Sequence, residues 1–145
     1  MMQPKKLSSR QLDALRFDST QQPIAAHTPY RKIFNKHYDF VVHYRLNPDE
    51  ALQSVTPHQG MRCDFTFASG ELLYMIYPEI LDVDGNIVLD KRQPIASEGL
   101  ATMWVLLDSA PYLKRLKERL YVGQKAFWVV GSSVLAEVTV TEICL

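Results

Sequence analysis

The residues able to do chemistry are few and scattered. Four histidines stand at positions 27, 37, 43 and 58, and two cysteines at 63 and 144. His37 and His43 are six apart, an even spacing that lets both share one face of a strand. No His-x-His or His-x-x-x-His pair accompanies them, and the cysteines lack the Cys-x-x-Cys spacing of a zinc site or a disulfide framework. The histidines therefore read as structural or surface groups, and no metal or other cofactor is expected. Cys63 beside Asp64 has the makings of a nucleophile, but that chemistry needs a base and an oxyanion pocket. On a strand shared with Phe65 and Phe67 the thiol points into a core instead. Asp82, Asp84 and Asn86 alternate like the head of a calcium loop, yet the glycine is misplaced and no glutamate closes the loop. Asp84-Gly85 reads as a hairpin turn, and Glu79, Asp82, Asp84 and Asp90 as a solvated acidic rim around it. No G-x-x-x-x-G-K-[ST] segment is present to cradle a nucleotide, so no GTP chemistry is expected.

The cations are more informative. Arg62 sits between apolar Met61 and Cys63, so its charge must reach solvent or a carboxylate. It either closes an internal salt bridge or forms a contact surface. Lys114, Arg115, Lys117 and Arg119 make the densest basic patch. They are either a solvated helix face or a surface for phosphate or an acidic protein. Only Tyr112 and Tyr121 stand near enough to stack on nucleic-acid bases.

The elements that must position these groups follow from patterning. The chain has 145 residues, is about half apolar and carries no net charge, which suits one domain and argues against a dedicated nucleic-acid binder. The neutrality is segregated. Residues 1–45 hold eight Lys/Arg against three Asp/Glu, residues 46–110 hold three against ten, and residues 111–145 hold five against three. Residues 1–33 read as an N-terminal arm with a short helix after Ser8 or Ser9, and residues 34–145 as the domain. Strands are expected over Phe40–Leu46, Arg62–Phe67, Leu72–Ile80, Ala101–Leu107, Ala126–Val130 and Val134–Ile143. Ile87–Leu89 returns from the Asp-Gly hairpin. Pro78 marks a strand edge or end. Asp108-Ser109-Ala110-Pro111 starts a helix running to about Leu120, with Leu113, Leu116 and Leu120 on one face and the basic run on the others. Short strands, frequent turns and one internal helix predict an all-β barrel or sandwich with one or two short helices. No secretory signal is seen, and the longest apolar run, Leu72 to Tyr77, is too short to span a bilayer. A cytoplasmic setting is the default.

Several patches resemble the C-terminal β-barrel domain of elongation factor Tu. Gly60-Met-Arg62-Cys-Asp64-Phe65-Thr-Phe67 is similar to that family's glycine-aromatic-arginine-proline-glutamine-phenylalanine-aromatic-phenylalanine stretch. His37-Tyr-Asp-Phe40 looks like its opening strand, where a histidine precedes a phenylalanine by three. Glu98-Gly99 and the apolar run to Leu107 resemble its proline-glycine turn and long strand. Gly123-Gln-Lys-Ala-Phe127 through Val134 to Ile143 resembles its final glycine-x-x-phenylalanine hairpin and terminal valine-threonine-x-isoleucine. The chain departs from the family at Cys63, where a proline stands, at Val130-Gly131-Ser132, and in a longer, more basic helix.

The resemblance covers about residues 34–145 and implies a small six- to seven-stranded antiparallel Greek-key β-barrel without its GTPase half. In that family the barrel binds tRNA and proteins. The expectation is a non-enzymatic module that binds another protein, through Arg62, the basic helix over 109–120 and the N-terminal arm. The alternatives are translation-associated binding of tRNA or ribosomal RNA, or an immunity protein neutralising a toxin. An exposed edge strand or the arm would also permit a homodimer.

Overall fold

A computed structural model describes residues 26–48, 56–68, 72–106 and 109–145. These form α1 (Tyr30–Phe34), β1 (Phe40–Leu46), β2 (Asp64–Thr66), β3 (Ile76–Ile80), β4 (Glu98–Val105), α2 (Ala110–Arg119), β5 (Lys125–Val130) and β6 (Ser133–Ile143). The helix expected after Ser8 or Ser9 lies outside the described residues.

The strands make one antiparallel sheet in the order β2-β5-β6-β1-β4-β3. The sheet curls until its edges meet. Phe65 in β2 and Tyr74, just before β3, exchange both backbone hydrogen bonds at 3.0 and 2.7 Å. Strands β2, β3 and β4 thus follow one another, and β1 returns beside β4, which is Greek-key order. Register shifts at Val41/Val42 and Trp128/Val129 supply the local bends that a curling sheet needs.

Period-two patterning fills the inside. Phe40, Val42 and Tyr44 of β1 are fully buried, as are Phe65, Ile76, Ala101, Met103 and Trp128 from the neighbouring strands. Aromatic rings tie them together: Phe40 meets Phe65 edge-on at 5.5 Å and Tyr44 stacks on Trp128 at 5.2 Å. Each buried Val, Ile, Met or Phe among them contributes roughly 1.5–3 kcal/mol.

Helix α2 closes one end. Leu116 is fully buried and Leu120 nearly so, while Tyr112 and Leu113 pack against the same core. The Tyr112 ring lies 5.5 Å from Tyr74. Ser109 occupies the N-cap position, but its side chain makes no capping bond. Packing, with Pro111 in the first turn, rather than a cap, starts this helix.

Pro78 lies in β3, the edge strand of the sheet, as its missing N–H requires: β4 is β3's one full strand neighbour. Two expectations are corrected in detail. The strand expected from Leu72 begins only at Ile76, because Leu72 and Leu73 are exposed and Tyr74 alone bridges to β2. The return over Ile87–Leu89 forms a single bridge, Leu81 to Ile87, rather than a strand. The buried Gln59 side chain takes its place in the ladder. Its amide nitrogen donates to the carbonyls of Ile80 and Val88 at 2.9 and 2.8 Å, and its oxygen accepts the Ile80 N–H at 2.9 Å.

The described part of the arm is packed on the sheet. Ala26 bridges Asp90, the His27 N–H donates to the Leu89 carbonyl at 2.8 Å, and Tyr30 and Ile33 are buried. Five residues are too few to hold a helix unaided. Helix α1 exists because Tyr30, Ile33 and Phe34 cover Trp104 on the outer face of β4.

Candidate functional site

Two places concentrate unabsorbed chemistry, and they bring the sequence-predicted cations to different parts of the molecule. The first is a cleft of about 210 Å³ between α1, β3 and the approach to β2. Arg62, Tyr30, Phe34, Tyr77, Lys91 and Leu106 are among the residues lining it.

A buried clamp builds the cleft. Glu79 points outward from β3, where the N-terminal segment covers it completely. Its Oε2 lies 2.6 Å from His27 Nε2 and accepts the Tyr30 N–H at 2.9 Å. These contacts fix Tyr30, whose ring meets His27 at 5.1 Å and Trp104 at 5.9 Å, both edge-on. The Trp104 ring N–H donates to the Thr102 hydroxyl at 3.0 Å. Burial pushes the Tyr30 hydroxyl far above the usual phenol range; the negative charge of Glu79 adds to this and Arg62 opposes it. Burial also raises the Tyr77 hydroxyl, again with Arg62 opposing. Both phenols therefore stay protonated and can donate hydrogen bonds at neutral pH.

Arg62 is exposed, and among the described residues it forms no salt bridge. The lysine beside it is held by backbone shape. Gly60 adopts φ +86°, a left-handed value that favours glycine, and a Cβ there would meet the Lys91 Cε at 3.2 Å. The Lys91 stem thus lies over Gly60.

The second place is α2. Lys114 and Glu118 are exposed on the face opposite Leu116, and Arg115 and Lys117 are exposed on its two flanks. Arg119 differs, since its guanidinium lies 4.3 Å from the centre of the Phe67 ring and belongs partly to the packing. Beside the helix, Leu72, Leu73 and Met75 are 52, 48 and 42 % exposed; just beyond its end, Tyr121 and Val122 are 61 and 63 % exposed. The Tyr112 hydroxyl accepts the Met75 N–H at 3.2 Å, which joins helix and hairpin.

The other candidates are absorbed by the fold. Cys63 is buried, and burial with the neighbouring Asp64 pushes its thiol up to about 12, so the nucleophilic thiolate is scarce at neutral pH. His37 bonds the Tyr38 carbonyl, His58 the Gln59 carbonyl, and His43 lies 3.1 Å from Glu98. Asp82 turns its carboxylate to the N–H groups of Asp84 and Asn86 at 2.9 Å, as an Asp-Gly hairpin requires. Glu79 does not belong to the acidic rim expected from sequence, because it is buried under His27. The rule applied to Arg62, that a charge on an apolar strand needs a partner, would have flagged it. Gln59 carried no comparable signal. Among the described residues no group of three His, Cys, Asp or Glu side chains could hold a metal ion, and no helix is long and apolar enough to cross a membrane.

No protein-family model, curated protein or solved structure matches this chain.

Proposed function

We propose that the chain is a non-enzymatic binding module whose α2 face engages an acidic surface of another protein. The observation that carries this is the composition of that face. Lys114 and Arg115 are exposed on α2 with Glu118 between them and Lys117 on the other flank, so cations outnumber the one carboxylate. Exposed Leu72, Leu73 and Met75 belong to the segment that the Met75–Tyr112 bond ties to the helix, with Tyr121 and Val122 just past its end. Cations speed association with an acidic partner. Exposed aromatic, methionine and leucine side chains supply the apolar core that a protein interface buries. A solvated helix face needs no such apolar flank.

A protein partner is favoured over RNA because the rings needed for base stacking are few. The Tyr112 hydroxyl is already bonded and its ring packs on Tyr74, which leaves Tyr121. The resemblance to the elongation factor Tu barrel supports binding over catalysis. A toxin-neutralising role is one instance of the same reading. Two free thiols, one buried and one exposed, support a reducing, cytoplasmic setting.

The test is a pull-down with the tagged full chain from lysate of the source organism, with mass spectrometry and RNA sequencing of the eluate. A Lys114→Glu/Arg115→Glu/Lys117→Glu variant runs beside it. One dominant protein that disappears with the variant supports the proposal. Capture that the variant leaves intact overturns it. Enriched RNA, lost steeply with salt, assigns the face to phosphate instead.

A further inference from the structure

The cleft beside α1 has a composition the α2 face lacks. Arg62 and Lys91 line it, and no aspartate or glutamate among the described residues does. This positive spot lies within residues 46–110, the stretch in which Asp and Glu outnumber Lys and Arg ten to three. Glu79, behind the wall, is occupied by His27 and the Tyr30 N–H, and Asp64 acts on Tyr77 from outside the lining. The walls are aromatic and aliphatic: Tyr30, Phe34, Tyr77, Leu106. About 210 Å³ is below the usual range for drug-sized ligands and suits one ring or one side chain.

We propose that this cleft binds a carboxylate carried on a small apolar or planar body, with Arg62 as the gripping cation and the Tyr30, Phe34 and Tyr77 rings as walls. The inference does not depend on the α2 face. A guanidinium presents paired N–H donors that match a carboxylate's two oxygens. Lys91 is already engaged, so it adds charge at the rim while Arg62 makes the contact. The phenols of Tyr30 and Tyr77, neutral at physiological pH like any phenol and pushed further up by burial, are donors, which suits an acceptor-only group. Among the described residues neither hydroxyl has a hydrogen-bond partner, so both remain available. The flat walls select an apolar body over a hydrated inorganic anion.

The same carboxylate could belong to a free organic acid or to a glutamate side chain of a partner. The experiment separates these. The ¹⁵N-labelled full chain is titrated with sodium benzoate, with N-acetyl-glutamate N-methylamide, with neutral benzamide and with phenyl phosphate, following amide shifts. The expected result is saturable shifts at Tyr30, Arg62 and Tyr77 with benzoate or the glutamate derivative. Benzamide should bind at least tenfold more weakly. Arg62→Ala should weaken carboxylate binding at least tenfold while leaving the β6 amides in place, and Arg62→Lys should restore part of it. Whichever carboxylate binds more tightly identifies the source. Shifts that do not saturate, or that Arg62→Ala leaves unchanged, overturn the proposal. Phenyl phosphate binding more tightly than both carboxylates overturns the carboxylate assignment.

Discussion

The outer face of β3–β4 and the α2 end of the barrel are both covered by a short helix, but they treat charge in opposite ways. On the outer face, α1 and the segment before it bury His27, Glu79 and Thr102, and each polar group there meets another. At the α2 end, leucines do the covering, Arg119 packs on Phe67, and Lys114, Arg115 and Lys117 are left in water. Polar groups that a fold has buried and bonded are committed to structure, because separating them leaves orphans in a low dielectric. Charges left in solvent beside exposed apolar side chains contribute little to stability and are free to meet a partner. The contrast teaches where to look: the buried pair shapes the cleft, while Arg62 at its mouth and the α2 cations offer contact.

The largest expected break in this contrast comes at Glu79. Glu79→Ala orphans the buried His27 ring and the Tyr30 N–H and should destabilise the protein by about 3–5 kcal/mol, measured by urea unfolding. Hydrogen exchange should rise first at Tyr30–Phe34. Protection there that survives the substitution would show that packing on Trp104, not the clamp, holds α1.

The matching cut at the other end is Leu116→Ala. Loss of a fully buried leucine should cost about 3 kcal/mol and loosen α2 while sparing α1 exchange. Equal loosening of both helices would erase the distinction between the two regions.

A smaller effect tests burial near the cleft by pH. The Cys63 thiol stays neutral in the fold to about 12, against an ordinary value of 9.0. The unfolded chain releases this proton first as pH rises, so stability is intact below about pH 9 and falls above it, by about 1.4 kcal/mol per pH unit from this group. Cys63→Ala should therefore give a shallower alkaline decline in urea-derived stability between pH 9 and 11. Identical slopes would mean that the thiol reaches solvent.

The smallest stability effect belongs to the α2 face. Lys114→Glu/Arg115→Glu/Lys117→Glu should change unfolding free energy by no more than about 1 kcal/mol while removing partner capture. A large stability loss would place these cations among the committed charges and collapse the comparison.

Much of the β framework was legible. Phe40–Leu46 matches β1 residue for residue, since an aromatic and β-branched run bounded by Asn47-Pro48 has few other options. The Asp84-Gly85 turn and the leucine face of α2 were equally plain, because both are local: a left-handed φ of +85° at Gly85 and a repeat of three to four residues. Cys63, Phe65 and Phe67 turned inward as their alternation required. Glu79 was misread because its partner lies 52 residues upstream, in a stretch with no periodic pattern. Gln59 went unnoticed because its three bonds reach the backbone of residues 80 and 88, and no local rule links them. The cleft shared that fate. Arg62 stood out, but Tyr30, Tyr77 and Lys91 come from three separate segments.

By itself, the amino-acid sequence determined β1, the Asp84-Gly85 turn and the two-sided α2, because each follows from the spacing of near neighbours. The tertiary structure alone decided which charges were consumed and which remained. Glu79 and Arg62 each sit among apolar residues, and nothing within ten residues of either distinguishes them. The segment from His27 to Phe34 docks over β3 and covers Glu79 fully, while Arg62 is left at the open mouth of the cleft. Burial is a property of what arrives from elsewhere in the chain, and it is burial that turns a charge into a structural bond or leaves it available for binding.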